Sequence, residues 1–169
     1  LNINIMKNQM ITFAIGILVT FSAIESSDAQ IKLPEIEIYG IANKEAVSAK
    51  VTNSFSRIFK EAEAPKWYVI NKRILVNFIL NNQRNKAVFE KNGTLVYHLV
   101  YGNEEQMPTD VRKTVKSTYF DHDIKTTIKV NIDGRSIWFI NIGDSKEYIV
   151  LKVEDGNMEV KDKYRNISG

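Results

Sequence analysis

The stretch Lys86–Tyr101, KAVFEKNGTLVYHLVY, constrains the fold more than any other, because two apolar-rich runs flank Asn92-Gly93. Asn-Gly is the favoured centre of a two-residue type I′ hairpin turn, where both residues take positive φ. Gly does so freely and Asn tolerates it. The pattern returns at Lys146–Lys161, KEYIVLKVEDGNMEVK, around Asp155-Gly156. A hairpin that recurs once signals a tandem repeat, so the chain reads as two copies of one unit, each closing on this hairpin.

The first 29 residues stand apart from that pattern. Met6 is read as the start, Lys7 supplies a short positive region, and Met10–Ile24 is an apolar run of fifteen residues. That is short for a membrane span. Ser27 and Ala29 are small residues placed for cleavage between Ala29 and Gln30, as in a secretory signal peptide. An uncleaved anchor is the alternative. With no cysteine in the sequence, neither disulfides nor a lipid anchor on cysteine is available. An exported protein of this kind must be held by packing alone.

Residues 30–40 form a lead-in segment with Ile36 and Ile38 alternating against Glu35 and Glu37, and Pro34 keeps it at an edge. Asn43 is placed to cap a helix. Ala46, Val47, Val51, Phe55, Ile58, Phe59 and Ala62 then mark one stripe of about five turns, ended by Pro65. Strands are expected at 66–71, 74–80, 86–91 and 94–101, with Asn71-Lys72, residues 81–85 and Asn92-Gly93 as turns. Such short connections make every pairing antiparallel.

The linker 102–106 leads to a second helix over 108–119. Pro108 sits at its start, Asp110 in its first turn, and Val111, Val115 and Tyr119 on one stripe. Strands follow at 124–132, 136–142, 146–154 and 157–163, with a frayed tail from Tyr164. An ungapped shift of 63 residues lays Ile74 on Ile137, Val76 on Phe139, Ile79 on Ile142, Val88 on Leu151 and Gly93 on Gly156. The expected organisation is therefore signal peptide 1–29, lead-in 30–40, first repeat 41–103, second repeat 104–165 and tail 166–169.

Particular residues carry a resemblance. They are Lys66-Trp67-Tyr68, the strand Ile74–Phe78, Phe89-Glu90-Lys91-Asn92-Gly93-Thr94-Leu95, and in the second copy Val153-Glu154-Asp155-Gly156-Asn157-Met158. With the signal peptide, this resembles the beta-lactamase-inhibitor-like, PepSY-like secreted family of Gram-negative bacteria, over about residues 41–164. The second copy departs at Lys152, where the first has Phe89. The resemblance implies an α+β protein of two tandem units, each a helix plus a four-stranded antiparallel sheet, with the helices on one face. It also implies a periplasmic or secreted location and no defining enzymatic activity. Beta-lactamase inhibitor proteins grip an enzyme with the concave sheet face, and PepSY segments accompany peptidases; both are fold-level analogies.

The chemistry of the residues is sparse. There is no G-x-S-x-G, Walker loop or H-E-x-x-H, and none of the residues is assigned a catalytic, cofactor or metal role. His98 lies mid-strand, opposite in face to Leu95, Tyr97 and Leu99. His122 sits between Asp121 and Asp123, and a polar turn accounts for that triplet better than a metal site. Glu104-Glu105 and Glu154-Asp155 lie where water solvates them. The net charge is +3, and +4 without residues 1–29. It is interspersed, with no basic run, so nucleic acid is not an expected partner.

What remains is the sheet surface. Ile124, Ile128, Val130 and Ile132 alternate with Lys125, Thr127, Lys129 and Asn131, while neighbouring strands carry large residues on both faces. A sheet with helices on one side leaves the other face free. Tyr68, Tyr97, Tyr101, Trp138 and Tyr148 are the candidate anchors on that face, with Lys125 and Lys129 as charged flankers. The alternative is that the two units bury these residues against each other. The function expected is a non-enzymatic envelope or extracellular binding module, inhibitor-like or chaperone-like, with another envelope or extracellular protein as partner. A small-ligand or glycan binder is the second reading and a motif-less hydrolase the third. No stable membrane span is expected after signal cleavage.

Overall fold

A computed structural model describes residues 39–41, 47–70 and 72–165. The expected signal peptide, most of the lead-in and the Asn43 cap lie outside them. Among the described residues, nine strands form a single antiparallel sheet in chain order: β1 (Tyr39–Ile41), β2 (Glu63–Ile70), β3 (Arg73–Leu80), β4 (Gln83–Glu90), β5 (Leu95–Gly102), β6 (Asp123–Ile132), β7 (Arg135–Gly143), β8 (Glu147–Glu154) and β9 (Asn157–Arg165). Helix α1 (Ala49–Ile58) precedes β2, and α2 (Thr109–Lys116) precedes β6. The chain thus holds two helix-plus-four-stranded repeats, α1 with β2–β5 and α2 with β6–β9. Both helices pack on the same side of the open sheet. The repeats meet edge to edge through β5–β6, where Leu99 faces Val130 and Tyr101 faces Ile128. Among the described residues no helix is long and apolar enough to cross a membrane.

Helix α1 lays Val51 and Phe55 into the first core, with Val47 and Phe59 at its ends. The Phe55 ring meets Trp67 at 5.1 Å and Phe78 at 5.0 Å edge-on, and Phe59 at 5.5 Å. Edge-to-face pairs of this kind add to simple area burial. The helix is shorter than its apolar stripe suggested. It stops at Ile58, with Phe59 leaving helical geometry at ψ 67°, and Ile58 itself is exposed. Pro65 does not end it. That residue lies inside β2, beside Ala64 at φ +48° and within a register shift between Glu63 and Lys66. A bulge is one of the few places a strand tolerates a residue without N–H.

The second core is aliphatic: Val111 and Val115 of α2 rest on Ile124, Ile140, Ile142, Ile149, Leu151 and Val153. Tyr119, expected as the last helical residue, sits in the following turn and packs against that cluster. The linker is a 3₁₀ turn, Glu104–Gln106, capped by Asn103, whose side chain accepts from Glu105 N at 2.9 Å. The last strand runs through Tyr164, which pairs with Tyr148 instead of fraying.

The repeat is real, but its register differs from the ungapped shift of 63. Ile74, Val76 and Phe78 lie on the helix side, as do Trp138, Ile140 and Ile142, whereas Ile137 and Phe139 point to the other face. A one-residue slip moves every strand side chain to the opposite face. Matching faces, Val76 corresponds to Trp138 and Phe78 to Ile140, while Ala87 corresponds to Leu151 and Phe89 to Val153. The offset changes because the turn at 81–82 has a longer counterpart between Gly143 and Glu147. Lys152 therefore does not stand in for Phe89. A bulge at 124–126 likewise breaks the alternation of β6, leaving Ile124 on the helix side and Ile128, Val130 and Ile132 on the other. Another, between Val88 and Phe89 opposite Leu95, sends Leu95 to the α1 cluster.

The two hairpins that define the repeat turn differently. Asp155-Gly156, with φ +49° and +78°, has both central residues left-handed as type I′ demands, and so do Asn81-Asn82 and Asp133-Gly134. Around Asn92 only Gly93 is left-handed, at φ +92°, and its N–H reaches Glu90 O at 2.9 Å. That is a tight turn through Lys91-Asn92 closed by a glycine bulge. The residue that precedes α1 touches this turn: Ser48 Oγ donates to Lys91 O at 3.0 Å. A Cβ on Gly93 would lie 2.6 Å from Lys50 O, whereas one on Gly156 would meet nothing within 4 Å. The two glycines are therefore not equivalent. Gly156→Ala is predicted to cost about 1 kcal/mol, from φ alone. Gly93→Ala is predicted to cost at least about 2 kcal/mol, from φ and the helix contact together. Urea denaturation of the two variants checks the order; equal losses would show that α1 does not press on the first turn.

Candidate functional site

The face away from the helices is built from alternate residues of each strand. Cross-strand partners place Tyr68, Leu75, Val88 and Tyr97 in one row, and Leu99, Val130 and Ile137 in another. Directly opposed side chains stand close enough to cover each other. Leu75, Val88, Tyr97, Leu99, Val130 and Ile137 are all buried there, although the described helices lie on the other side. The sheet thus carries apolar cores on both faces.

The seven sequence-selected residues fall into different settings. Tyr68, Tyr97, Tyr101 and Tyr148 lie on the face that carries none of the described helices, the helix-free face, Tyr148 being opposite Gly143 on β7 and Tyr164 on β9. Tyr97 is only 2% exposed, and burial raises its phenol to about 12, with Tyr101 adding to the shift and Arg73 opposing it. Tyr68 and Tyr101 are half-buried and Tyr148 is 47% exposed. Trp138 and Lys129 point to the helix side, where the Lys129 ammonium lies 5.7 Å from the indole centroid. Lys125 sits in the β6 bulge, paired with Asp123 at 2.7 Å. The structure brings four of the seven to one face.

Sequence reasoning did not single out Arg84 and Lys86 of β4. The guanidinium carbon of Arg84 and the Nζ of Lys86 lie 5.7 and 5.9 Å from the Tyr101 ring centroid. Their alternation along β4 shows that they share a face, but only strand register places Tyr101 beneath them. The Tyr101 hydroxyl is buried and finds no hydrogen-bond partner among the described residues. Burial also raises its pKa.

Both histidines are structural in their contacts. Asn85 Nδ2 donates to Leu80 O and Gln83 O, so its Oδ1 faces His98 Nε2 at 2.8 Å. That contact puts the His98 proton on Nε2 and leaves Nδ1 to accept from Asn131 Nδ2 at 3.4 Å. Asn131 Oδ1 in turn accepts from Ser136 Oγ at 3.0 Å. A chain of neutral bonds thus crosses β4, β5, β6 and β7. Burial first, and the Lys129 charge second, lower the His98 pKa to about 4.

His122, though buried, is shifted in the opposite direction. Its Nδ1 meets Asp121 Oδ1 at 2.8 Å and its Nε2 meets Glu147 Oε1 at 3.4 Å, and its carbonyl accepts from Lys116 Nζ. The Asp121 hydrogen bond is the main reason its pKa is raised, against the opposing effect of burial. Glu147 is itself held by Lys163 at 2.7 Å. The Asp121-His122-Asp123 turn thus joins the start of β6 to β8. Among the described residues no three His, Cys, Asp or Glu side chains are grouped to hold a metal ion.

No family model matches the sequence, and no curated protein matches it. Solved structures do share the fold. A DUF2874 family protein from Bacteroides uniformis ATCC 8492 matches with TM-score 0.56 at 13% identity, over 72% of this chain and 92% of that one. A BLIP-like protein from Bacteroides fragilis NCTC 9343 matches with TM-score 0.57 at 13% identity, over 72% and 88%. A structure described as periplasmic, from Bacteroides eggerthii DSM 20697, matches with TM-score 0.56 at 14% identity, over 70% and 88%. At these identities the likeness is one of fold.

Two predictions follow from these environments. Tyr97→Ala should cost about 3–5 kcal/mol, as for a buried core aromatic. Tyr148→Ala should stay within about 0.5 kcal/mol. Denaturation curves of the pair decide; a destabilised Tyr148 variant would show that this ring is structural. The second prediction concerns pH. His98 has its folded pKa below 6.5, so its stabilisation is whole above pH 6.5 and is lost as pH falls toward 4. His122 has its folded pKa above 6.5, so its stabilisation is whole below pH 6.5 and is lost as pH rises through the folded value. Stability should peak near pH 6.5, with an acid limb approaching 1.4 kcal/mol per pH unit. Melting temperatures across pH 4–9 check this. His122→Gln should flatten only the alkaline limb and His98→Gln only the acid one.

Proposed function

We propose that this chain is a non-enzymatic, extracytoplasmic binding module of the beta-lactamase-inhibitor-like, PepSY-like secreted kind. It is released by cleavage between Ala29 and Gln30 and uses the helix-free sheet face to engage another envelope or extracellular protein. The observation that carries this reading is the placement of Tyr68, Tyr101 and Tyr148. All three are large, partly uncovered side chains fixed on the strands of the face away from α1 and α2. Rigid tyrosines on strands bury much area on binding at little entropic cost, which is why they dominate interface hot spots. The fold shared with the BLIP-like and periplasmic Bacteroides proteins supports the same reading. Trp138 and Lys129, on the helix side, are not part of this surface, and Tyr97 serves it from beneath as core.

The test is capture of a stoichiometric protein partner from envelope extract by the mature chain, repeated with Tyr68→Ala and Tyr148→Ala. Each variant is expected to keep its fold while weakening capture by about 2 kcal/mol, roughly thirtyfold. A partner retained at full strength by both variants, or a glycan bound in place of any protein, would overturn the reading.

A further inference from the structure

The helix-free face of the first repeat carries three cations without an ion-pair partner among the described residues: Arg84 and Lys86, which flank Tyr101, and Lys66 of β2. Arg73 on this face is paired with Glu90 at 2.9 Å, and Arg135 and Lys152 with Glu154 at 2.6 and 3.0 Å. Arg84 and Lys86 have no carboxylate within ion-pair distance among the described residues. The row of Lys86 runs through Asn77 to Lys66, and Glu63 shares the row of Arg84 with Ile79 standing between them. At the usual strand spacing that is about 10 Å.

This arrangement is costly by itself. Lys86 is half-buried, and burial first and the Arg84 charge second pull its pKa below the ordinary lysine range. Both cations attend the Tyr101 ring, whose hydroxyl is buried and unpartnered. Leaving a buried hydroxyl without a partner is costly. Like charges drawn together around an unsatisfied donor ask for an anion.

We propose that Arg84, Lys86 and Tyr101 anchor the carboxylate of an acidic segment on a protein partner. This rests on the reading of the helix-free face as the working surface. A carboxylate offers two oxygens with about four acceptor sites. The planar fork of Arg84 matches both oxygens, and the Lys86 ammonium and the Tyr101 hydroxyl supply further donors. One bound carboxylate would relieve both the repulsion and the missing hydrogen bond. A membrane surface fits less well, because anionic lipid is held by clusters of about four to eight exposed cations. Here two flank a half-buried ring.

The probe is fluorescein-labelled decaglutamate, titrated against the full chain by anisotropy at low salt. Saturable binding is expected. The R84Q/K86Q double variant should weaken it about tenfold or more. Lys113→Gln removes one exposed charge from α2 and should change it by less than about twofold. Tyr101→Phe deletes only the orphaned hydroxyl, so it should weaken binding about threefold while leaving the melting temperature unchanged or higher. If the double variant does not fold, R84Q alone, at an exposed position, replaces it. Equal losses in Lys113→Gln and the anchor variants would overturn the proposal in favour of diffuse charge. So would tighter binding to phosphatidylglycerol–phosphatidylcholine vesicles than to decaglutamate, lost in the same variants. A Tyr101→Phe variant that melts lower and binds unchanged would overturn the hydroxyl's part. If decaglutamate binding ignores Arg84 and Lys86 while partner capture still depends on Tyr68 and Tyr148, the anchor fails and the face reading stands. Anchor-dependent decaglutamate binding with no Tyr68- or Tyr148-dependent partner overturns only the face reading.

Discussion

The pairing of β5 with β6 is the contact on which the rest of this architecture depends. It sets the two repeats edge to edge, so that one antiparallel ladder runs through both. Because the strands are antiparallel and consecutive, α1 and α2 emerge on the same side, and the opposite face is continuous across the joint. The joint is reinforced off the backbone as well, by the neutral chain from Asn85 through His98 and Asn131 to Ser136. Each of its members is satisfied without a charge, which lets a polar seam lie between two apolar clusters without the cost of an unpaired buried group.

The two repeats solve the same packing problem with different materials. The first rests on interlocked aromatics around Phe55 and pins the start of α1 onto the Gly93 turn. The second uses branched aliphatic side chains around Val115 and closes its own far end with the His122–Glu147–Lys163 contacts. The histidines divide accordingly. One is held neutral by burial between the repeats, the other favoured as a cation by two carboxylates. That division reflects surroundings alone, since the two side chains are chemically identical.

On the helix-free face, Tyr97 and Leu99 of β5 are core, while Tyr68 of β2, Tyr101 of β5 and Tyr148 of β8 are partly uncovered. Charge there is uneven. The second repeat pairs Arg135 and Lys152 with Glu154, while the first leaves Arg84 and Lys86 around Tyr101. Phe120, 79% exposed in the turn before β6, lies outside any of these groupings.

The amino-acid sequence by itself determined the kind of element, their number and their order. Alternation and turn residues mark eight of the strands, the stripes Val51–Phe55 and Val111–Val115 mark the helices, and the recurring Asx-Gly hairpins mark the repeat. These are local signals, set by periods of two and 3.6 and by residues that accept positive φ. Where α1 ends was not legible, because its stripe continues through Phe59 and Ala62 in a segment that packs on the core without being helical. Tertiary structure alone decided which face each side chain takes. The bulges at 64–65, at Val96 and at 124–126 each shift the alternation by a residue, and no period in the sequence announces them. For that reason Trp138 and Lys129 lie on the helix side, Tyr97 is core, and Arg84 and Lys86 come to Tyr101 from a strand whose own pattern names no site. Faces are set by register, and register is a property of pairs of strands.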